Sequence, residues 1–528
     1  MGQGISSAVT PPPLTLRNCL INGRFDVAKY RWYRRSRDMY KELEEDCSRS
    51  RKRKHSQVFE DINKKKKQTR IRSIKRHKLM VRDSDGSLRE TRPADTLWYL
   101  LYIAHPPITE RIFKLFRLRF RMPYQSFLDL AENIRCNEKI SQWTRADAAG
   151  VSSHDIKLLL LGALRYIGRA WTFDDISEAN GISIDTNRVF LMSFIHYGST
   201  VLYQKWVINH YRFDTVHEQE SIYRKAGFNG CIGSSDATHI AMLKCPQWAS
   251  QNHKGFKLSV PARTYNVTVD HSRRILGSTF GHPGTWNDKT LVLFDKLICD
   301  VKNGIIPDNF EFKLFQKNEH NEIVEIVYKG VWFIVDNGYL AWSCTVPPDK
   351  HATSYESIRF SEWLESMRKD IECLFGIMKG RFCILRYGFR FHSIANCDKL
   401  WLTCCALHNL LLDIDGLDRN WDRTVQSEWE QYYNEHPGRN YDMQLETPFA
   451  IARLNNNLEE DMNYKETNDD LEKDISSIDY SKYSVDGKRI VQKMPLKLFR
   501  RLLIHHFDIR FKKHDIEWIR HVKQPNVL

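Results

Sequence analysis

The feature that most constrains this chain is a short apolar run, Val331–Val335, followed by Asp336, Asn337 and Gly338. Five consecutive apolar residues, rich in β-branched and aromatic side chains and closed by turn residues, indicate a strand buried on both faces. A carboxylate at the end of such a strand is costly to remove from water, so we expect Asp336 to face a cation or hydrogen-bond donors. A simple Asx turn formed by the same residues is the plainer interpretation.

A long amphipathic helix is predicted from Phe360 onward, where apolar residues recur at helical spacing. Glu372 lies beside this apolar stripe, on a flank that also carries Arg368 and Lys379. This flank suits a metal ion and a phosphate backbone, although a solvated charged face is the more usual role of such residues. Glu365 lies about 10 Å further along the axis, so it does not share one ion with Glu372.

Length and composition indicate a soluble protein of more than one domain. The 528 residues include 14 Trp, 22 Tyr and 27 Phe, which is enough for a large core. The 12 cysteines form no CxxC pair, so we expect scattered core thiols in a reducing compartment. No apolar run reaches the ~18 residues of a membrane span, so we expect an intracellular protein with no membrane partner.

The positive charge is concentrated near the N-terminus. Residues 51–78 contain 13 Lys or Arg against two carboxylates, a net charge of +11, whereas the whole chain carries +15. Such a run in a polar segment indicates a nuclear import signal or a nucleic-acid-binding tail, and a merely solubilising tail is the alternative. We therefore predict that residues 1–95 are a basic, largely disordered tail that directs the protein to the nucleus.

Residues 96–222 are predicted to be helical and to contain a helix-turn-helix at about 172–197. Thr172 with Asp175 fits a capping box, Asn180-Gly181 fits the turn, and Ser183 fits the cap of a second helix. In that second helix, Asn187 and Arg188 are the candidates for DNA contact. Any helical hairpin with a glycine turn gives a similar pattern, so plain packing is the alternative.

Residues 223–413 are predicted to form a ribonuclease H-like α/β domain, with a mixed sheet flanked by helices. The predicted elements, in chain order, are a strand around Asp236, a hairpin at 264–280, a helix at Lys289–Ile298, an inserted hairpin at 311–329, the buried strand before Asp336, and the helix of Glu372. In such a sheet the first strand and the buried strand are neighbours. We therefore expect Asp236 and Asp336 to project at the same end, with Glu372 reaching in from the helix.

Three carboxylates at one point repel one another and need cations. Two like charges ~4 Å apart cost about 4 kcal/mol at an effective dielectric of 20. Mg²⁺ prefers oxygen ligands and is commonly held by carboxylates together with substrate phosphate. We expect two Mg²⁺ (or Mn²⁺) ions, a pair that supports in-line attack of water or a DNA 3′-hydroxyl on a phosphodiester.

Four segments, GSSDATHI, HPGTWND, VDNGY and ECLFGIMKGRF, occur in this order. Together they resemble the motif set of PIF/Harbinger-type transposases and of the nucleases derived from them. Asp236 and Asp336 match the two catalytic aspartates of that family, and Glu372 matches its catalytic glutamate. The 35 residues between Asp336 and Glu372 are a spacing usual in DDE transposases.

The resemblance extends over about Phe228–Leu411 and implies further site residues. Asp288 matches an additional acidic position, and Lys379 and Arg381 match a basic pair after the glutamate. The chain departs from the family pattern at Ala237 and Asn337, although neither change removes a ligand. The resemblance implies metal-dependent cutting of double-stranded DNA at terminal inverted repeats, insertion into short AT-rich targets and often a separate Myb-like partner protein. A homo-oligomer is a further possible partner state.

Other basic residues and histidines lie between the first two predicted strands. Lys254, Lys257 and Arg263 form a basic patch that we interpret as contacting the DNA backbone. His239 and His253 are candidates for holding the scissile phosphate, although ordinary strand and loop histidines fit the same pattern.

Residues 414–528 are predicted to be an acidic linker and a basic helical appendage. Met494–Val522 has the pattern of a basic amphipathic helical pair, which either packs on the catalytic layer or binds DNA or a partner. Two other functions fit the whole sequence: a DNA-binding protein of the same fold with a silent nuclease, and a nuclear scaffold that uses its basic tail.

Overall fold

The structure is a computed structural model that describes residues 20–21, 24–25, 80–82, 84–90, 92–143, 153–208, 213–255, 257–307, 309–415 and 474–517. The chain divides into two compact units, Met1–Thr91 and Arg92–Leu528. The domains predicted at 96–222, 223–413 and 414–528 thus share the second unit, and the boundaries between them stay predictions. Most of the basic tail, including residues 51–78, and the linker at 416–473 lie outside the described residues.

The first unit contains two short antiparallel strand pairs among its described residues. Leu20–Ile21 pairs with Arg24–Phe25, and Met80–Arg82 pairs with Leu88–Glu90.

The second unit begins with helices, as the apolar periodicity predicts. A single turn, Leu97–Tyr99, continues into a π-helical turn, Leu100–Ala104. The longer helices that follow are α1 (Glu110–Phe120), α2 (Tyr124–Arg135), α3 (Ile156–Arg169), α4 (Phe173–Asn180), α5 (Ile184–Tyr197) and α6 (Phe213–Lys225).

Helices α4 and α5 form the predicted helical hairpin. Thr172 Oγ1 accepts a hydrogen bond from the Asp175 N–H at 3.2 Å, and Asp175 Oδ2 accepts one from the Thr172 N–H at 2.9 Å. Gly181, with φ of +67°, ends α4, and Ser183 caps α5. The capping box, the turn and the second cap are therefore confirmed.

Strands and the remaining helices alternate along the rest of the described chain. The strands are β1 (Cys231–Ala241), β2 (Ala262–Val269), β3 (Ile275–Ser278), β4 (His282–Pro283), β5 (Glu311–Lys317), β6 (Ile323–Lys329), β7 (Trp332–Ile334), β8 (Thr345–Val346), β9 (Ser484–Val485) and β10 (Lys488–Ile490). The helices are α7 (Gln247–His253), α8 (Asp288–Leu291), α9 (Lys296–Lys302), α10 (Tyr355–Arg381), α11 (Cys383–Tyr387), α12 (Ile394–Asp415) and α13 (Leu496–Lys512). Within the described part of the chain, no helix is both long and apolar enough to cross a membrane.

The main sheet has the order β8-β7-β1-β2-β3, with β4 paired to β2. Strand β2 is antiparallel to its neighbours β1 and β3, whereas β7 runs parallel to β1 and β8 runs parallel to β7. Residues Val331–Val335, which include β7, are fully buried, because the sheet is covered on both faces. The predicted pairing of the first strand with the buried strand is confirmed.

A second sheet contains the predicted inserted hairpin, β5 and β6, and extends beyond it. Strand β10 pairs in parallel with β6, and β9 pairs with β10. Helix α13 packs against the same region, where Phe499 and Phe507 are fully buried. The C-terminal appendage is therefore part of the core of the second unit.

One helix prediction is wrong in detail, and another is tested only in part. The helix predicted at Lys289–Ile298 is broken, because Asp295 leaves the helical conformation and its Oδ1 accepts a hydrogen bond from the Ile298 N–H at 3.1 Å, which starts α9. The first helix of the predicted C-terminal pair is confirmed as α13, and most of the second would lie on residues 518–522, outside the described residues.

His506 in α13 should make the stability of the folded protein depend on pH. Its Nδ1 accepts a hydrogen bond from the Phe315 N–H at 2.8 Å, and burial lowers the pKa of His506 to about 3. In the unfolded chain the ring titrates near ~6.5. Between the folded-state and unfolded-state pKa values, the unfolded chain binds more protons than the folded protein. The contribution of His506 to stability is therefore fully present above about pH 6.5 and is lost as the pH falls towards 3.

We expect His506→Gln to reduce the slope of unfolding free energy against pH by about 1.4 kcal/mol per pH unit between roughly pH 6 and 4. Urea unfolding at several pH values measures this slope. His320→Gln, at an exposed turn, is the matched control and should leave the slope unchanged. Equal slopes for the parent protein and His506→Gln would contradict a neutral buried ring.

Candidate functional site

Asp236 and Asp336 lie at the same level of two neighbouring parallel strands, where β7 has just ended and β1 continues to Ala241. Ile334 of β7 lies opposite Ser234 of β1, and each aspartate follows two residues later. Burial raises the pKa of Asp236 to about 7, with the charges of Asp336 and Asp288 adding to the effect. The two carboxylates therefore interact electrostatically, as the strand arrangement predicts.

Asp336 also forms the Asx turn that was the plainer interpretation of the sequence. Its Oδ1 accepts a hydrogen bond from the Gly338 N–H at 2.8 Å. This bond fixes the direction of the carboxylate at the strand end. The turn and a role in a functional site are thus compatible.

Asp288 brings a third carboxylate to this point. A Cβ atom at Gly338 would lie 2.8 Å from Asp288 Oδ2 and 3.0 Å from Asp336 Oδ1, so both oxygens border the same small space. Burial raises the pKa of Asp288; the nearby Lys257 opposes this rise, and Asp336 adds to it. A side chain at position 338 would collide with both carboxylates, which explains the glycine.

Glu372 is connected to the site by an ion pair with Arg368, which lies one turn before it in α10. Arg368 Nη2 lies 2.9 Å from Glu372 Oε1 and 2.7 Å from Glu365 Oε1, while Nη1 lies 3.4 Å from Asp236 Oδ2. The side chain of Arg368 is only 13% exposed. One partly desolvated guanidinium therefore joins the helix carboxylates to the strand carboxylate.

The donors at this site fit a hard divalent cation. They are carboxylate oxygens, and the pKa increases of Asp236 and Asp288 reflect burial and crowded negative charge, which a cation relieves. Among the described residues, no group of three or more His, Cys, Asp or Glu side chains is already close enough to hold a metal ion. Arg368 contacts both Asp236 and Glu372 and so lies between these two carboxylates.

Lys257 lies near Asp288 of the acidic cluster, and both Lys257 and Lys379 lie near His239. Burial lowers the pKa of His239 to about 3, and the charges of Lys257 and Lys379 lower it further. Lys257 is exposed and Lys379 is half-buried, and burial lowers the pKa of Lys379. Lys254 is exposed on the same connection between β1 and β2. These groups supply positive charge and a neutral imidazole beside the carboxylates.

Asn187 does not have the exposure that DNA contact requires. Its side chain is 4% exposed, with Oδ1 accepting from Asn180 at 2.8 Å and Nδ2 donating to the Ile182 carbonyl at 3.0 Å. The residue ties α4 to α5, so its prediction as a DNA contact is wrong. Arg188 is exposed and pairs with Asp185 at 3.0 Å, and its DNA contact stays a prediction.

Arg263 and Arg381 are buried structural cations, which corrects their prediction as DNA contacts. Arg263 pairs with Asp398 at 2.6 Å and also donates to the Gly281 carbonyl. Arg381, 3% exposed, lies 3.5 Å from Asp415. Desolvated ion pairs of this kind fix packing and leave no nitrogen facing solvent for a phosphate.

His253 is a structural residue as well. Its Nδ1 lies 2.9 Å from the Ala249 carbonyl and its Nε2 lies 3.2 Å from Arg263 Nη1. The plainer interpretation of this histidine is therefore confirmed. Asp270, which could be mistaken for a catalytic carboxylate, closes the turn before β3 by accepting from the Arg274 N–H at 3.0 Å.

A buried polar network under the acidic cluster was missed in the sequence. Asn266 Nδ2 donates to Asp295 Oδ2 at 2.7 Å and to Ser235 Oγ at 3.1 Å, and the Tyr339 hydroxyl donates to Asn266 Oδ1. Ser235 precedes Asp236 within β1 and Tyr339 lies three residues after Asp336, so the network holds the two aspartate-bearing segments together. An alternating strand pattern gives no signal for such a network, because its partners are far apart in the chain.

The fold and the site define this region as a mixed α/β domain with a carboxylate cluster at the edge of its central sheet. Residues 209–418 match the model of a family described as plant transposon protein. The matched segment contains all four carboxylates of the predicted site, and it supports a transposase-related family. The comparisons with curated proteins and with solved structures gave no match.

Proposed function

We propose that this protein is a metal-dependent DNA endonuclease of the DDE transposase type, similar to the PIF/Harbinger class, that cuts phosphodiester bonds at transposon ends. One observation carries the proposal: Asp236 in the middle of β1 and Asp336 just after β7 lie at the same level of two adjacent parallel strands, and Arg368 joins Glu372 to Asp236. The catalytic residues are Asp236, Asp336 and Glu372, with Asp288 as an additional metal ligand.

The arrangement of the main sheet supports a ribonuclease H-like domain. Three antiparallel strands, β1 to β3, are followed by β7 and β8, which run parallel to β1 on its other side. Helix α10 packs across β1, so a residue on its flank reaches the ends of β1 and β7. This layout brings together carboxylates that lie far apart in the sequence.

Asp236, Asp288, Asp336 and Glu372 would hold the metal ions. Bound Mg²⁺ or Mn²⁺ would supply charge stabilisation for an in-line displacement at a scissile phosphate. Asp336 is oriented for this role by the Gly338 N–H. The network of Ser235, Asn266 and Tyr339 holds the strand ends in place, which limits the reorganisation needed on binding.

Lys257 and Lys379 would bind the DNA backbone next to the cut. Both lie close enough to His239 to lower its pKa, and Lys257 is also close enough to Asp288 to oppose the rise in the pKa of that carboxyl. Their positive charge offsets the repulsion between the carboxylates and an incoming phosphate. His239, neutral at physiological pH, would hydrogen-bond a phosphate oxygen or the nucleophile, which is water or a DNA 3′-hydroxyl.

A silent nuclease that only binds DNA is the second candidate function. It is favoured by Arg368, which already neutralises part of the carboxylate cluster in the protein alone. Incubation of a labelled duplex with Mg²⁺, Mn²⁺ or EDTA separates the two candidates. Nicking in the metal-containing reactions supports the nuclease, whereas binding without nicking under every metal condition supports the silent form.

The cellular setting follows from the same proposal. We place the protein in the nucleus, where residues 51–78 would act as the import signal. Its substrate would be double-stranded DNA with terminal inverted repeats. A Myb-like partner protein and self-association are part of the proposal through the resemblance to the PIF/Harbinger class.

Arg368 should compete with the metal for its ligands. Its guanidinium occupies Asp236 Oδ2 and Glu372 Oε1, while Glu365 offers it an alternative carboxylate. We expect Arg368→Gln to tighten Mn²⁺ binding by about tenfold, which is ~1.4 kcal/mol. Glu365→Gln should weaken binding by about threefold, because Arg368 then stays on the site carboxylates. Calorimetric titration with Mn²⁺, without DNA, measures both effects.

Lys369→Gln is the matched control for this titration. Lys369 is an exposed cation on the same helix, and its replacement removes the same charge. If Arg368→Gln and Lys369→Gln give the same Mn²⁺ affinity, Arg368 does not compete with the metal.

A further inference from the structure

A basic cavity of about 800 Å³ lies between α13, the start of α10 and the end of β5. Its cationic lining residues are Lys317, Lys497, Arg500, Arg501, Lys512 and Lys513. Three carboxylates, Asp349, Glu356 and Asp508, share the same wall. The lining therefore carries twice as many cationic as anionic side chains.

The carboxylates of this cavity are already engaged by cations. Arg500 Nη2 lies 3.2 Å from Asp349 Oδ2, and Lys512 Nζ lies 2.6 Å from Asp508 Oδ2. Lys512 also lies 3.9 Å from Glu356 Oε1. Two of the six cations thus contact all three carboxylates, and the lining keeps an excess of three positive charges.

Lysines remain that have no carboxylate in contact. Within the described ranges, Lys317 and Lys497 make no ion pair, and both are exposed. Lys513 lies over the ring of Phe315, 5.0 Å from its centroid, and is also exposed. Burial lowers the pKa of His505 in the cavity wall, and the charge of Lys317 lowers it further. The cavity is therefore electropositive and open to solvent.

These cations are not needed to hold α13 in place. The opposite face of the helix is apolar: Leu498, Phe499 and Leu502 are fully buried, and the Phe507 ring stacks on Phe228 at 5.5 Å. Packing alone explains the apolar stripe of this segment. Arg500 and Lys512 are explained by their ion pairs, but Lys317 and Lys497 have no such explanation. The sequence pattern left packing and DNA contact as alternatives for this segment.

We propose that this cavity binds the phosphate backbone of duplex DNA away from the cut, so that α13 both packs on the catalytic unit and contacts DNA. Lysines and arginines recognise phosphates through charge and hydrogen bonds. Ser354, which caps α10 at the cavity, is 18 residues from Glu372, or about 27 Å along the helix axis. At ~3.4 Å per base pair, this distance corresponds to about 8 base pairs. The choice of DNA as the polyanion rests on the proposed function.

The test is a triple variant, Lys317→Ala, Lys497→Ala and Lys513→Ala, in the full-length protein. Binding to a labelled 30-base-pair duplex is followed by fluorescence anisotropy in EDTA at several salt concentrations. Each lost phosphate contact should make the slope of log K against log salt shallower by about 0.9, so we expect a decrease of about 2 to 3 in its magnitude. Affinity at low salt should fall by at least tenfold.

The matched control is the triple variant Lys296→Ala, Lys329→Ala and Lys488→Ala. These lysines lie outside the cavity and interact with Asp300, Asn309 and Glu311. The control loses the same net charge, so it separates a local site from a general effect of charge. Thermal unfolding within about 2 °C of the parent protein shows that both variants are folded.

Equal salt slopes and affinities for the two triple variants would overturn the proposal. The DNA assignment is also overturned if the cavity variant loses binding of tripolyphosphate while duplex affinity matches that of the control variant. Because binding is measured in EDTA, the result does not depend on nuclease activity. A protein that never nicks DNA, but whose cavity variant binds it less tightly, would refute the proposed function and support this site.

Discussion

Replacement of Asp336 by asparagine is expected to lower the rate of metal-dependent DNA nicking by about 1,000-fold or more. Asparagine keeps the size of the side chain and the oxygen that accepts the Gly338 N–H, but it removes the negative charge that a divalent cation needs. Duplex affinity in EDTA should be unchanged or slightly higher, because one charge that repels phosphate is gone. Single-turnover nicking of a labelled duplex, with anisotropy for binding, measures both quantities.

Glu362→Gln is the matched control for this experiment. Glu362 is exposed on α10, outside the carboxylate cluster, and its replacement removes one carboxylate in the same conservative way. Its nicking rate should stay within about twofold of the parent protein. Equal nicking rates for Asp336→Asn and the parent protein would show that the strand-end carboxylate has no part in the chemistry.

Replacement of Arg263 by methionine is expected to lower the free energy of unfolding by about 3 to 5 kcal/mol. The change leaves Asp398 as a buried carboxylate, which is 12% exposed and keeps only the Tyr265 hydroxyl, at 2.9 Å, from its present donors. Urea unfolding measures the loss. Lys257→Met should leave stability within about 0.5 kcal/mol, because Lys257 is exposed.

The same two variants separate structural from DNA-binding cations. Lys257→Met should weaken duplex binding and make its salt dependence shallower, whereas Arg263→Met should leave binding unchanged at temperatures where the variant is folded. If Arg263→Met were as stable as the parent protein and lost DNA affinity, the original interpretation of Arg263 as a backbone contact would be correct.

The parts of the fold that could be predicted from sequence are those with a local pattern. Each of these features depends only on residues close together in the sequence: the run Val331–Val335, the amphipathic stripe of α10, and the caps at Thr172 and Ser183. The proximity of Asp236 and Asp336 was also predictable, since parallel neighbouring strands carry their carboxyl ends at one edge. These features depend on hydrophobic periodicity and turn chemistry, which a single sequence contains.

The errors concern residues whose partners are distant in the chain. Arg263 and Asp398 are 135 residues apart, and the pattern around Arg263 resembles that of any exposed basic patch. Strand β10 pairs with β6 at Arg489 and Tyr328, and nothing local in either segment indicates this pairing. The contacts of Asn187 could not be predicted either, although its partners are close in the sequence. Its helix was correctly predicted, but the burial of its side chain depends on how α4 packs against α5.

Arg368 was recognised as a cation on the correct flank of α10, but its partner was misjudged. A phosphate contact was expected, whereas the guanidinium contacts Glu365, Glu372 and Asp236. The sequence did contain a signal for the ion pairs within the helix, because Glu365 lies three residues before Arg368 and Glu372 lies four residues after it. The third contact, between Arg368 and Asp236, follows only from the packing of α10 on β1.

The most direct test of the central claim is anomalous diffraction from crystals of the protein grown or soaked with Mn²⁺. We expect two manganese peaks about 4 Å apart, both within bonding distance of carboxylate oxygens from Asp236 and Asp336. Glu372 should bind one of the two ions, and the Arg368 side chain should turn towards Glu365. Manganese peaks elsewhere, with Arg368 still between Asp236 and Glu372 at saturating Mn²⁺, would contradict the central claim.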